Sequence, residues 1–208
     1  MAQDGKKSQN TFSKIKDSAN KSISWFWDKV KELSTGHNQH IKAPALISSR
    51  KYGSARSLST ILPGELCLFA YDPKHKQTLP YYDIYPLIFP IDMNSKTFLG
   101  LNMHYLPYEQ RMLLLSKLLQ FQVKDTTGKV DNRRLKISWD ILNASANLKA
   151  FQPCVHRYLT SNLKSMIKVI DTDEWERVLL LPIHNFQSKD GISAEAVWAE
   201  SMKKIQKR

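Results

Sequence analysis

Two cysteines in 208 residues, Cys67 and Cys154, are too few and too far apart for a disulfide framework or a thiolate metal cluster. Both read as small buried hydrophobes. No apolar run approaches the roughly 20 residues that span a bilayer, so no membrane partner is expected. The first twenty residues lack the apolar centre of a secretion signal, and the protein is expected to stay in the compartment where it is made. HExxH, P-loop, GxSxG and paired-cysteine patterns are missing as well, as is any internal repeat. Those gaps argue against an enzyme and against a metal or cofactor. Acidic charge is also in short supply: 19 Asp and Glu face 31 Lys and Arg, a net charge of +12. Residues 1–60 hold eleven basic against four acidic residues, and residues 61–208 hold twenty against fifteen, so the excess is concentrated ahead of residue 61. Such a balance favours polyanions, nucleic acid or an acidic protein surface.

What the chain does have is a stretch from Gly64 to Pro107 with three apolar, β-prone runs, Leu66–Tyr71, Tyr85–Ile91 and Phe98–Tyr105. Pro73, Pro80, Pro86, Pro90 and Pro107 punctuate it, and proline within a sheet is confined to edges, bulges and strand starts. The pattern predicts a small, curved antiparallel sheet. Its rings, Phe69, Tyr71, Tyr81, Tyr82, Tyr85, Phe89, Phe98 and Tyr105, are expected to form core.

Ahead of the sheet, Phe12, Ile15, Ala19, Ile23, Phe26, Val30 and Leu33 recur at helical spacing, with Trp25 and Trp27 flanking the stripe and Gly36 placed as a C-cap. The other face carries Lys14, Lys16, Lys21, Lys29 and Lys31. Such a basic amphipathic helix can lie on a membrane or dock in a groove of a partner or of its own domain; nothing else in the chain suggests lipid. Residues 37–60 read as a basic linker, in which Arg50, Lys51 and Arg56 could follow a phosphate backbone while Tyr52 stacks on a base.

After the sheet, Pro107 opens a predicted helix over Tyr108–Phe121, and Arg133, Arg134 and Lys136 form a compact basic cluster. Helical spacing is read over Phe151–Ile170 and a late strand over Trp175–Ile183. A closing helix over Ser193–Ile205 has Ser193 as its N-cap. The fold class is thus α+β: a curved antiparallel sheet or partial barrel with packed helices, plus an N-terminal helix on a linker. The expected parts are an arm at 1–36, a linker at 37–60 and a core at 61–208. Asp72, Asp83 and Asp92, with His75 and His104, are the nearest approach to a metal constellation. Aspartates beside proline and tyrosine more commonly cap turns through Asx bonds, and His184 is read as structural.

The runs YDPKHKQTLPYYDIYPLIFPI and FLGLNMHYLPYEQRMLLLSKL resemble the DNA end protector proteins of T4-like tailed phages, over roughly Gly64–Leu119. The resemblance implies a protein of the virion head or head–tail junction that binds the ends of packaged linear double-stranded DNA. It also implies protection of those ends from host exonuclease in the host cytoplasm, without catalysis. Lys and Arg would supply such binding through counterion release without reading sequence. The expected DNA contacts are Arg50, Lys51, Arg56, Lys74, Lys76, Arg133, Arg134 and Lys136. Phe12, Ile15, Ile23, Trp25, Phe26, Trp27, Val30 and Leu33 are the expected contacts to another virion subunit near the portal or neck. Two other readings stand beside this one: a structural head–tail junction protein anchored by its N-terminal helix, and a nuclease-like processing factor. The oligomeric state is open.

Overall fold

The computed structural model describes residues 41–120 and 149–206. In chain order the elements are α1 (Ala43–Ser48), β1 (Gly53–Arg56), β2 (Leu66–Leu68), β3 (Tyr82–Asp83), β4 (Leu87–Met93) and β5 (Thr97–Asn102). There follow α2 (Tyr108–Gln120), β6 (Val155–Leu159), β7 (Ile167–Ile170), α3 (Trp175–Leu180), β8 (Phe186–Gln187) and α4 (Ala194–Gln206). Six strands form one open sheet in the order β1-β7-β2-β4-β5-β6, every neighbouring pair antiparallel. The short β3 and β8 pair separately. The expected α+β class is what the chain adopts, with a sheet that stays unclosed.

The sheet is buried on both faces, which is why its strands read as near-continuous apolar runs. Leu66, Leu68, Phe89 and Leu101 face one cluster, shared with Leu114, Leu115, Val178, Leu179 and Val197 from α2, α3 and α4. Cys67, Phe69, Tyr71, Ile88, Phe98, Tyr158, Ile167 and Val169 form the other. Its rings meet edge-on and stacked: Phe69 and Tyr158 are 5.5 Å apart at 89°, Phe98 and Tyr158 5.2 Å apart at 22°. The aromatic stretch is core, as its composition predicts, with Tyr81, Tyr82 and Tyr85 half-buried at its border. Both cysteines are buried. Pro90 lies in β4 at a register shift before Asp92, a bulge of the kind proline permits.

Several local expectations are corrected. The third apolar run stops as a strand at Asn102, whose side chain accepts the His104 N–H and starts a 3₁₀ turn over Met103–Tyr105. Phe151–Ile170 is not a helix. After a 3₁₀ turn over Lys149–Cys154 that contains Pro153, it forms β6 and β7, whose β-branched and aromatic residues Val155, Tyr158, Ile167, Val169 and Ile170 suit a sheet. Trp175–Ile183 is not a strand. Residues Trp175–Leu180 form α3, with acidic Asp173 and Glu174 ahead of it and Leu181 extended before Pro182. A short helix buried on several sides has the same unbroken apolar run as a strand.

Within the stretch read as linker, α1 and β1 pack onto the body. Lys168 of β7, 1% exposed, donates from Nζ to the carbonyls of Ser49 and Gly53, tying the end of α1 and the start of β1 to the sheet. The closing helix begins as expected: the Ser193 hydroxyl accepts the Ala196 N–H at 3.2 Å. Among the described residues, no helix is long and apolar enough to cross a membrane.

Candidate nucleic-acid interface

The sequence-predicted contacts fall on two ends of the edge strand β1 and on one adjoining loop. Arg50 and Lys51 are exposed just before β1, at its Ile170 end. Lys51 lies 5.5 Å above the Tyr52 ring. Tyr52 itself is only 4% exposed and has Arg177 at 5.5 Å, so the ring expected to stack on a base belongs to the core instead. At the far end, beside Ile167, Arg56 donates from Nη1 to Glu65 at 2.9 Å and from Nε to the Ser54 hydroxyl.

Residues 74–80 form an exposed loop that carries Lys74 and Lys76. Lys76 pairs with Asp72 at 2.9 Å. That hydrogen bond, with help from the nearby Lys164 charge, holds the Asp72 carboxyl below its ordinary range. The base of the loop is clamped to the turn between β6 and β7: Asp72 N–H donates to Asn162 O at 3.1 Å, and the Asn162 amide donates to Asp72 O at 2.7 Å. A bridge between Tyr71 and Leu163, and the Lys164 N–H bond to Ala70 O at 2.8 Å, continue the clamp.

An open groove of about 580 Å³ is lined by residues 56–58 and 163–167. Arg56 and Lys164 are the cations that line it; Leu58, Leu163 and Met166 are apolar residues of the lining. Arg56, Lys76 and Lys164, drawn from three separate parts of the chain, thus share one side of the molecule. Lys164 is not among the sequence-predicted contacts because its segment has the spacing of a helix. Arg133, Arg134, Lys136 and the eight apolar residues of the N-terminal stripe lie outside the described residues.

Not every cation is available to a polyanion. Arg111 is fully buried and donates to the carbonyls of Leu106, Leu179 and His104 at 2.8, 3.0 and 3.3 Å; burial brings its pKa down to about 10. With Lys168 it is committed to holding the fold.

The candidate metal residues do not converge. Among the described residues, no group of three or more His, Cys, Asp or Glu is placed to hold a metal ion. Asp83 is buried and accepts the His104 Nδ1–H at 2.7 Å, the Tyr85 N–H at 3.0 Å and the Asn102 amide at 3.3 Å. Burial alone would raise its pKa, but these bonds and the imidazole outweigh it and hold the carboxyl below its usual range. Burial lowers the His104 pKa against the opposing pull of Asp83. The Tyr85 bond is the Asx-type turn contact expected of an aspartate in this setting. Asp72 is paired with Lys76, and Asp92 is exposed at the bulge of β4.

A family model described as the phage T4 terminal DNA protecting protein matches residues 6–201. The chain belongs to that family. No curated protein and no solved structure matches it. Membership of the terminal DNA protecting family makes this a phage protein of DNA end protection. DNA ends are accordingly the partner that membership implies, and the match runs through both described regions of the chain.

Proposed function

We propose that the protein binds the ends of linear duplex phage DNA and blocks exonuclease there by occupancy, with no bond made or broken. The observation that carries this reading is the family match over residues 6–201; the neighbouring cations Arg56, Lys76 and Lys164 support it. Protection needs only that the terminus and its adjoining phosphates be covered more tightly than a nuclease can compete for. Lysine and arginine supply such affinity by releasing counterions, regardless of sequence. Residues 11–35 serve in this proposal as an attachment to another virion subunit near the portal, which would keep the protein beside the packaged end.

The test is protection of a linear duplex from a processive double-strand exonuclease. The protein should preserve full-length linear DNA, and covalently closed circular DNA should compete poorly for it. Changing Arg133, Arg134 and Lys136 together to Ala should flatten the salt dependence of binding by about one unit for each phosphate no longer neutralised. Degradation at the unprotected rate, or equal competition by circular DNA, would remove end protection.

A further inference from the structure

A duplex end differs from the interior of DNA in two chemical respects. Its last base pair has a free face, and its terminal phosphate is a monoester, carrying about −1.5 to −2 charge near neutral pH where an internal diester carries about −1. A site selective for ends therefore needs an apolar surface beside cations. The groove between residues 56–58 and 163–167 has both features.

Its apolar lining is fixed. Leu58 and Leu163 pack against the Phe69, Phe98 and Tyr158 cluster and are held by the rigid side of the sheet. Met166 is 58% exposed, a large apolar side chain kept in water at the groove. Thioethers are adaptable and polarisable and pack well against flat π-surfaces. Two cations supply the charge. Arg56 is oriented from behind by Glu65, whose side chain is 14% exposed against 39% for Arg56, and neither of its bonds within the chain uses Nη2. The Lys164 N–H is bonded to Ala70 O, and its exposed side chain also lines the groove. The Ser165 hydroxyl is already engaged, accepting from Ala70 N–H and donating to Met166 O, so the charged pair rather than the hydroxyl is what meets an anion. The carboxylates nearby, Glu65 and Asp72, each face a cation. A space of about 580 Å³ suits a ligand of nucleotide size and is far too small for a duplex.

We infer that this groove seats the last nucleotide of a DNA end, with its terminal phosphate between Arg56 and Lys164 and its base against Leu58, Leu163 and Met166. The inference rests on the proposed function and adds to it where the end is held and by what chemistry.

The experiment compares binding of the full chain to three probes of one sequence: a 5′-phosphorylated open duplex, the same duplex without the phosphate, and a covalently closed dumbbell. The parent protein should favour the phosphorylated open duplex over the dumbbell, and removing the phosphate should weaken binding by about tenfold, the worth of a charge-assisted hydrogen bond. In Lys164→Ala the phosphate should no longer matter, and Lys164→Arg should restore its effect. In Met166→Ala the open-over-closed ratio should fall while the phosphate effect persists. Both side chains are exposed, so these variants should melt like the parent. A parent that prefers ends while both variants keep the full preference and the full phosphate effect would overturn the groove and leave end protection standing. A parent that binds dumbbell and open duplex equally would overturn both. Variants that bind all three probes normally but no longer join virion subunits would assign the groove to a protein partner and overturn the inference.

Discussion

Lowering the pH from 7 to 5 should cost this protein about 4 kcal/mol of stability through two imidazoles. His156 is half-buried, with its Nε2 at 3.0 Å from the Pro153 carbonyl, and desolvation depresses its pKa to about 4. His184 is brought down to about 3, first by burial and then by His104 and Arg111 nearby. In the unfolded chain both return to about 6.5. As the pH falls through 6.5, the unfolded state takes up a proton at each site while the native state stays neutral until about 4 and 3. Stability is therefore full above about pH 7 and falls on acidification, by about 2 kcal/mol per imidazole at pH 5. His104, lowered in the same direction, adds to the loss. Asp83 and Asp72, both held below the usual carboxylate range, release their stabilisation only below about pH 4, so they do not shape this window. Against a total of about 5–15 kcal/mol for a typical domain, the loss is large. Urea unfolding followed by tryptophan fluorescence at pH 7.5, 6 and 5 should show the midpoint dropping by about 1–2 M. His156→Gln with His184→Gln should flatten the profile. A midpoint that does not move between pH 7.5 and 5, or a double variant with the parent's slope, would refute the reasoning.

Gly53 has φ +137°, and a Cβ there would sit 1.9 Å from the Val169 carbonyl oxygen, a backbone atom that cannot yield without opening the β1–β7 pair. Gly53→Ala should destabilise by more than about 2 kcal/mol and lower amide protection along β1, whereas Gly191→Ala, with φ +79° and nothing within 4 Å, should cost about 1 kcal/mol. Deleting residues 1–36 should leave a soluble domain that melts cooperatively but no longer incorporates into particles. Aggregation of the truncated chain would place the helix in its own core, and normal incorporation would place the anchor elsewhere.

The sheet is legible in the sequence wherever a strand has turn residues close on both sides. Proline spacing locates β4, and Pro107 locates the start of α2. Two segments mislead for the same reason. β7 is buried along its whole length and β6 is a part-exposed edge strand, so neither shows clean alternation and chance helical spacing wins; α3 is short and largely buried, so it lacks the broad polar face that would mark a helix. The charged residues of the candidate site are legible as types but not as a set. Arg56, Lys76 and Lys164 meet only because the turn after β6 folds back against Tyr71 and Asp72. That is a long-range event with no local signature. Burial is equally hidden: Lys168, Arg111 and Tyr52 look like surface groups in the sequence, and each is used inside.

The strand order has a consequence for how the molecule comes into being. β7, from the last quarter of the chain, is inserted between β1 and β2, from the first third, pairing Gly53 with Ile170 on one side and Leu66 with Ile170 on the other. A nascent chain therefore cannot finish its sheet as it leaves the ribosome. Until residue 170 is free, β1 lacks its neighbour and β2 presents an open edge. Pairings of such sequence separation are slow to close, because chain entropy falls before any strand pairing compensates for it. Folding should complete only after synthesis, in a single late step that assembles edge strand, central strand and groove together. A chain cut short anywhere before β7 would then yield a sticky intermediate rather than a weakened binder.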